Sequence, residues 1–292
     1  MNDYLIISNY MNNEKYRVSF NELSMDIFES DPEKWYEKNL YYNKCAFYSY
    51  IYNDNVVASI SVNIMDLIVA GQKKTALQLS GIMTHPDHRN KGLSASLINY
   101  IIDKYENEYD IIYLFAEDSV LRFYTKFGFK QIIEDSYELD TNQIKIKESM
   151  MKKLEIDDEN DCNTIFRIIK NRQPVSKKLG VFNDLWPLHI FCMYVYTDDM
   201  YYLEDEDTIV IASREDGCVH IYDVVSLEPV NIDSIIEKIV TSDDEKIEFH
   251  FIPESNKYNI LKSSKKRPNN WLFVRSNNTV FKEVLFPLTS QV

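Results

Sequence analysis

Glycine is scarce in this chain, six in 292 residues, and the motifs built on it are missing as well. There is no G-x-G-x-x-G of a dinucleotide fold, no G-K-[ST] of a P-loop and no G-x-S-x-G of a hydrolase elbow. Cysteine is equally sparse. Cys45, Cys162, Cys192 and Cys218 are widely spaced with no C-x-x-C, which excludes a zinc ribbon and a dithiol pair and reads as reduced core residues of a cytoplasmic protein. Positive charge is in deficit: the net charge of −14 leaves no basic footprint for nucleic acid as the main partner. That acidity serves solubility and is also compatible with a cationic substrate. No apolar run approaches the ~20 residues of a membrane span. The opening MNDYLIISNYMNNEKYR, acidic early and with a four-residue apolar run, does not read as a signal peptide.

What remains, 45% hydrophobic and 27% charged residues, is the composition of a globular α/β chain long enough for one large core or two ordinary ones. The first half alternates element types. A short strand at 4–8 precedes helices at 14–28 and 32–41, then extended segments at 45–53, 56–69 and 75–84. A helix at 92–106 carries Leu93, Leu97, Ile98, Ile101, Ile102 and Tyr105 on one stripe. The apolar run 110–116 suits a strand buried on both faces, followed by a helix to Phe127 ended by Gly128 and a strand at 129–139. The charged stretch around 143–161 sets a boundary between residues 1–147 and 148–292. Beyond it come a helix at 162–171, an ambiguous stretch at 175–191, a hairpin about Glu215-Asp216-Gly217, a helix at 232–241 and strands at 246–252 and 271–275. That order echoes the first half without its glycine-bearing turn. The apolar segment 281–288 is expected to dock on the body.

Chemistry concentrates between Leu77 and Lys130. After a strand comes Arg89-Asn90-Lys91-Gly92-Leu93-Ser94, where glycine lets backbone approach a ligand and the first helical turn leaves N–H groups unpaired. Two cations and the helix dipole add positive potential. By itself the turn fits either an anion site or an ordinary strand-to-helix loop with surface cations. His85 and His88 form an H-x-x-H without a third ligand or an H-E-x-x-H frame, and read as surface histidines; no metal is expected.

Taken in order, Ile82-Met83-Thr84-His85-Pro86, the Arg89–Ser94 turn and Tyr124-Thr125-Lys126-Phe127-Gly128-Phe129 resemble the acetyl-CoA-binding core of the GNAT superfamily of N-acetyltransferases. The resemblance covers about residues 45–140. Ser94 stands where that family has Gly or Ala, and Glu117 or Asp118 where many members carry asparagine. The resemblance implies a mixed α/β sheet whose central strands, 75–84 and 110–116, splay apart to take the pantetheine arm. It assigns acetyl-CoA to Ile82, Met83, Thr84, Arg89, Asn90, Lys91, Gly92, Leu93 and Ser94. It makes Tyr124 the acid and Glu117 the base for acetyl transfer to a primary amine on a small molecule. The alternatives are a peptide amine as acceptor, or a non-catalytic acyl-CoA-binding module. Tyr124 also fits a packed aromatic, and Glu117 a carboxylate balancing a helix N-terminus. Residues 148–292 are expected to form a second, smaller α/β domain, a degenerate copy or an unrelated module, shaping the acceptor pocket with Trp186, His189, Phe191 and Tyr194 as candidates for its wall.

Overall fold

The structure, a computed structural model, describes residues 3–38, 40, 44–276 and 278–291. The chain begins β1 (Leu5–Ser8), α1 (Glu14–Phe28), α2 (Glu33–Glu37), β2 (Cys45–Tyr52), β3 (Asn55–Val69), β4 (Gln72–Thr84), α3 (Leu93–Tyr105), β5 (Ile111–Ala116), α4 (Leu121–Tyr124), β6 (Lys130–Ile132) and β7 (Asp135–Asp140). It continues β8 (Met151–Lys153), α5 (Glu159–Ile169), β9 (Leu179–Phe182), α6 (Leu185–Ile190), β10 (Met200–Leu203), β11 (Thr208–Glu215), β12 (Cys218–Ser226), α7 (Ile232–Ile239), β13 (Lys246–Phe249), β14 (Leu261–Ser264) and β15 (Trp271–Arg275).

Local chemistry accounts for the first sheet. β2 and β3 are joined at Asn53 and Asp54, whose φ angles of 47° and 67° are the left-handed pair of a tight hairpin turn that Asn and Asp tolerate. β3 is rich in β-branched residues and runs antiparallel to both β2 and β4. α3 buries Leu93, Leu97, Ile98, Ile101 and Ile102, each burial contributing about 1.5–3 kcal/mol. The expected helix at 32–41 is shorter, Glu33–Glu37, and residues 39 and 41 of that expectation lie outside the described residues.

Two mixed sheets form, and they trade strands. Among the described residues the first runs β1-β2-β3-β4-β5-β15-β6, with β9 pairing β3, and the second runs β14-β7-β13-β12-β11-β10-β8. The single strand expected at 129–139 is therefore two. β6 ends the first sheet, and β7 pairs with β13 and β14 in the second. The chain crosses at Ile133 and Glu134, which alternation of apolar residues does not reveal. Glu134 is 3% exposed and accepts the Phe286 N–H at 3.0 Å; burial pushes its carboxyl above the usual range. In return β15 sits between β5 and β6, antiparallel to both. A core cluster spans the junction, with Tyr113, Leu272 and Val274 on one side and Val219, Ile221, Ile247 and Phe249 on the other. The segment 281–288 docks as expected: Val284, Leu285 and Phe286 are buried, with Phe286 stacked on Tyr113 at 4.7 Å between ring centres.

Candidate active site

β4 and β5 run parallel only from Ala76 opposite Ile111 to Gln78 opposite Tyr113, although β4 continues to Thr84 and β5 to Ala116. Beyond that last pair the strands part. β4 carries a bulge opposite Ser59–Ser61, where Gly81 has φ +53° and an added Cβ would lie 3.2 Å from Ser61 Oγ. A bulge bends its strand, so it turns the end of β4 out of the sheet. His85 N–H bonds Val57 O at 2.9 Å and Met83 stands opposite Ser59. Since antiparallel bonds alternate, the N–H groups of Ile82 and Thr84 face away from β3, into the gap.

The gap is a cleft of about 1110 Å³. Its walls include Leu79–Thr84 on one side, Phe115–Tyr124 on the other, and Ile27 and Phe28 of α1. The turn before α3 lines it as well. Asn90 and Gly92 take φ +61° and +78°, a curl that presents successive N–H groups to one point. Gly92 is the N-cap of α3 and offers no side chain to it. The first intrahelical bond runs from Ser96 N–H to Gly92 O at 2.9 Å, so the N–H groups of Leu93, Ser94 and Ala95 lack partners inside the helix. A Cβ on Gly92 would meet no protein atom within 4 Å, which places open space where an anion would sit. Arg89 is anchored by Nε to Thr84 O at 3.1 Å. Ser94 Oγ is engaged by Thr84 Oγ1 at 2.7 Å, so the serine departure from the family pattern is absorbed locally and its N–H is left to the cleft.

The structure thus brings Ile82, Met83, Thr84, Arg89, Asn90, Gly92, Leu93, Ser94, Glu117 and Tyr124 to one cleft; Lys91 lies in the same turn but not on the cleft wall. Tyr124 is 6% exposed. Burial, with the charge of Glu117 adding to it, pushes its phenol up to about 12, so it stays protonated. Glu117 is exposed at the cleft mouth and gives its N-terminal turn no side-chain cap. His85 accepts the Asp87 N–H at 3.3 Å. His88 pairs with Tyr4 at 2.9 Å, and partial burial with the nearby Lys91 charge lowers its pKa. Each imidazole thus has a local partner.

Trp186, His189, Phe191 and Tyr194 do not line the cleft. Trp186 is buried and its Nε1 donates to Asn63 Oδ1 at 3.0 Å. Asn269 and Trp271 of the second half do not line the cleft either, but they bond one residue that does, Asp118. Trp271 Nε1 donates to the Asp118 carboxylate, and Asp118 N–H donates to Asn269 Oδ1 at 3.4 Å. No spacing in the sequence links positions 118 and 271; the exchange of β15 into the first sheet does.

Residues 12–132 match the family model of the acetyltransferase (GNAT) domain. No curated protein matches the chain. Among solved structures it is similar to a probable N-acyltransferase from Enterococcus faecalis V583, with a TM-score of 0.60 at 12% identity over 94% of this chain and 72% of that one. Eis1 from Mycobacterium abscessus gives 0.59 at 14% over 92% and 73%. A GCN5-related N-acetyltransferase from Kribbella flavida gives 0.58 at 11% over 94% and 72%. At these identities the likeness is one of fold, and it runs through both halves. Among the described residues no helix is long and apolar enough to cross a membrane.

Proposed function

We propose, from the match of residues 12–132 to the family model of the acetyltransferase (GNAT) domain, that this chain is an acyltransferase that moves an acetyl group from acetyl-CoA to a primary amine on a small molecule. The observation that carries the proposal is the uncapped turn. Three N–H groups, two left-handed residues and the cation of Arg89 converge where β4 leaves β5. That donor set suits a pyrophosphate. The exposed N–H groups of Ile82 and Thr84 would pair with an extended amide-bearing arm as a further strand would.

In this reading the acceptor enters from the α1 side and attacks the thioester carbonyl directly, in a ternary complex. Glu117, at the cleft mouth, takes the proton the amine must lose, directly or through a water. Tyr124 donates a hydrogen bond to the sulfur as the C–S bond breaks. A phenol near 12 is a weaker acid than a thiol by about 3 pH units, so the donor stabilises the departing sulfur ahead of any complete transfer. Residues 148–292 would brace the Asp118 side of the cleft through the bonds of Asn269 and Trp271. A cleft braced in this way, with Phe28 also on its lining, supports a compact acceptor over a peptide lying in a long groove.

The test is thiol release from acetyl-CoA over a panel of small primary amines. Turnover with at least one of them is expected, and Tyr124→Phe should lower kcat about 100-fold with cofactor affinity kept. Turnover on peptides alone would overturn the small-molecule acceptor. Binding without turnover, indifferent to Tyr124→Phe, would make the chain an acyl-CoA-binding module.

A further inference from the structure

On the second sheet, away from the cleft, the Cys218 sulfur, an imidazole nitrogen of His220 and a carboxylate oxygen of Glu248 lie within 4.8 Å of one another. The backbone fixes this grouping. Cys218 and His220 are two residues apart on β12 and so share a face. Glu248 stands opposite His220 in the parallel register of β13. Cys218 is 5% and Glu248 7% exposed, and Glu138 of β7 stands opposite Glu248 on its other side, adding negative charge to the same region.

His220 and Glu248 are already held by neighbours. His250 Nε2 lies 3.2 Å from His220 Nδ1, and the other nitrogen of His250, Nδ1, is buried with no partner. Lys265 Nζ grips Glu248 Oε1, while Glu248 Oε2 lies 3.9 Å from His220 Nδ1. The Tyr222 ring packs 4.9 Å from His250 and 6.3 Å from His220, fixing the ring planes. Metal-binding histidines and carboxylates are characteristically oriented this way by partners on their far atoms.

We propose that Cys218, His220 and Glu248 bind one divalent ion of the zinc class, with His250, Lys265 and Tyr222 as positioning residues and a water completing the coordination. Sulfur, imidazole and carboxylate together are a zinc donor set; calcium and magnesium take oxygen alone. Tetrahedral bonds of about 2.0–2.3 Å separate ligand atoms by roughly 3.3–3.8 Å. The observed spacing, within 4.8 Å, would have to close to that range on binding, by side-chain rotation on the two paired strands. A buried thiol beside a buried carboxylate is a polar pair that a cation stabilises. None of these residues lines the cleft, so the site is separate from acyl transfer.

The probe is Co2+ added to the metal-free full chain, followed by displacement with Zn2+. One equivalent per chain is expected, with a thiolate-to-cobalt charge-transfer band and the visible bands of a tetrahedral ion. Cys218→Ser should abolish the charge-transfer band, and His220→Asn should weaken binding at least 10-fold. His250→Ala, which removes only a positioning contact, should weaken it about 10-fold. Circular dichroism and the metal-free melting temperature report whether each variant folds, and any one folded ligand variant is decisive. Two results would overturn the proposal: no cobalt spectrum in the folded wild type, or an unchanged spectrum and affinity in Cys218→Ser or His220→Asn.

Discussion

Among the described residues two pairs of parallel strands occur, β4–β5 and β12–β13, and the space beyond the first pair is open while the second is braced by buried charges. In the first sheet the β4–β5 pairing stops at Gln78 and Tyr113 and the space beyond is the cleft. In the second, β12 and β13 pair from Cys218 opposite Lys246 to Ile221 opposite Phe249, and β12 continues to Ser226. On that continuation of β12, Asp223 is held in a buried ion-pair network. Arg172 Nη1 donates to Asp223 at 2.7 Å, and its Nε and Nη2 donate to Asp184 at 2.9 and 2.6 Å. Thr289, from the docked final segment, donates its hydroxyl to the same Asp223. The two helix starts differ in the same sense. α3 begins at an uncapped glycine after two cations. α7 follows Leu227-Glu228-Pro229-Val230-Asn231, in which Pro229 has no N–H to offer and Asn231 Oδ1 takes the Ser234 N–H at 3.3 Å. The side-chain cap thus takes up one of the first-turn N–H groups that α3 leaves open. The difference between the open cleft and the closed junction therefore lies in what the local sequence leaves unpaired, within the same order of elements.

That contrast can be broken from the closed side first. Arg172→Met leaves Asp184 and Asp223 buried without their cation, in side chains that are 0% exposed. Loss of a buried partner is worth about 3–5 kcal/mol, so urea unfolding should show that loss of stability while the acetyl-CoA affinity of the folded fraction holds. A smaller effect is expected at the α7 cap, where Asn231→Ala should lower stability by about 1 kcal/mol, read from the same unfolding curves. No comparable change at the uncapped Gly92 can remove a side-chain cap. A third effect concerns pH. On α7, Glu237 bonds Lys147, Lys257 and Tyr258, which hold its carboxyl down at about 2. A depressed carboxylate stabilises the fold at pH values above its unfolded value, about 4.3, and that contribution fades as pH falls toward 2. The gap in melting temperature between wild type and Glu237→Gln should therefore be full at pH 6 and shrink between pH 4 and pH 2. A gap independent of pH would assign the Glu237 contacts to packing.

Much of the open site is legible in the sequence because its signals are local. Arg89, Gly92 and Ser94 sit within six consecutive residues, and Tyr124 and Gly128 within five, so spacing alone brings them into one strand–turn–helix frame. The closed site is not legible. Arg172, Asp184, Asp223 and Thr289 are spread over more than a hundred residues, and nothing in an isolated Arg or Asp distinguishes a buried ion pair from a solvated one. The strand exchange hides for a related reason. Alternation in 129–139 reports two faces but not which sheet receives them, and Trp271–Arg275 reads as a strand without naming β5 and β6 as its neighbours. Asp118 and Trp271 meet only as a consequence of that exchange.

The most direct measurement is calorimetric titration of acetyl-CoA into the wild type and into Gly92→Asp. Aspartate would carry a negative charge into the space where the anion is expected, at a residue with φ +78°. One molecule bound per chain, with affinity reduced at least 100-fold in the folded variant, is the result predicted if the first opening alone binds and the turn holds the phosphates. Two molecules per chain, or undiminished binding by Gly92→Asp, would contradict it.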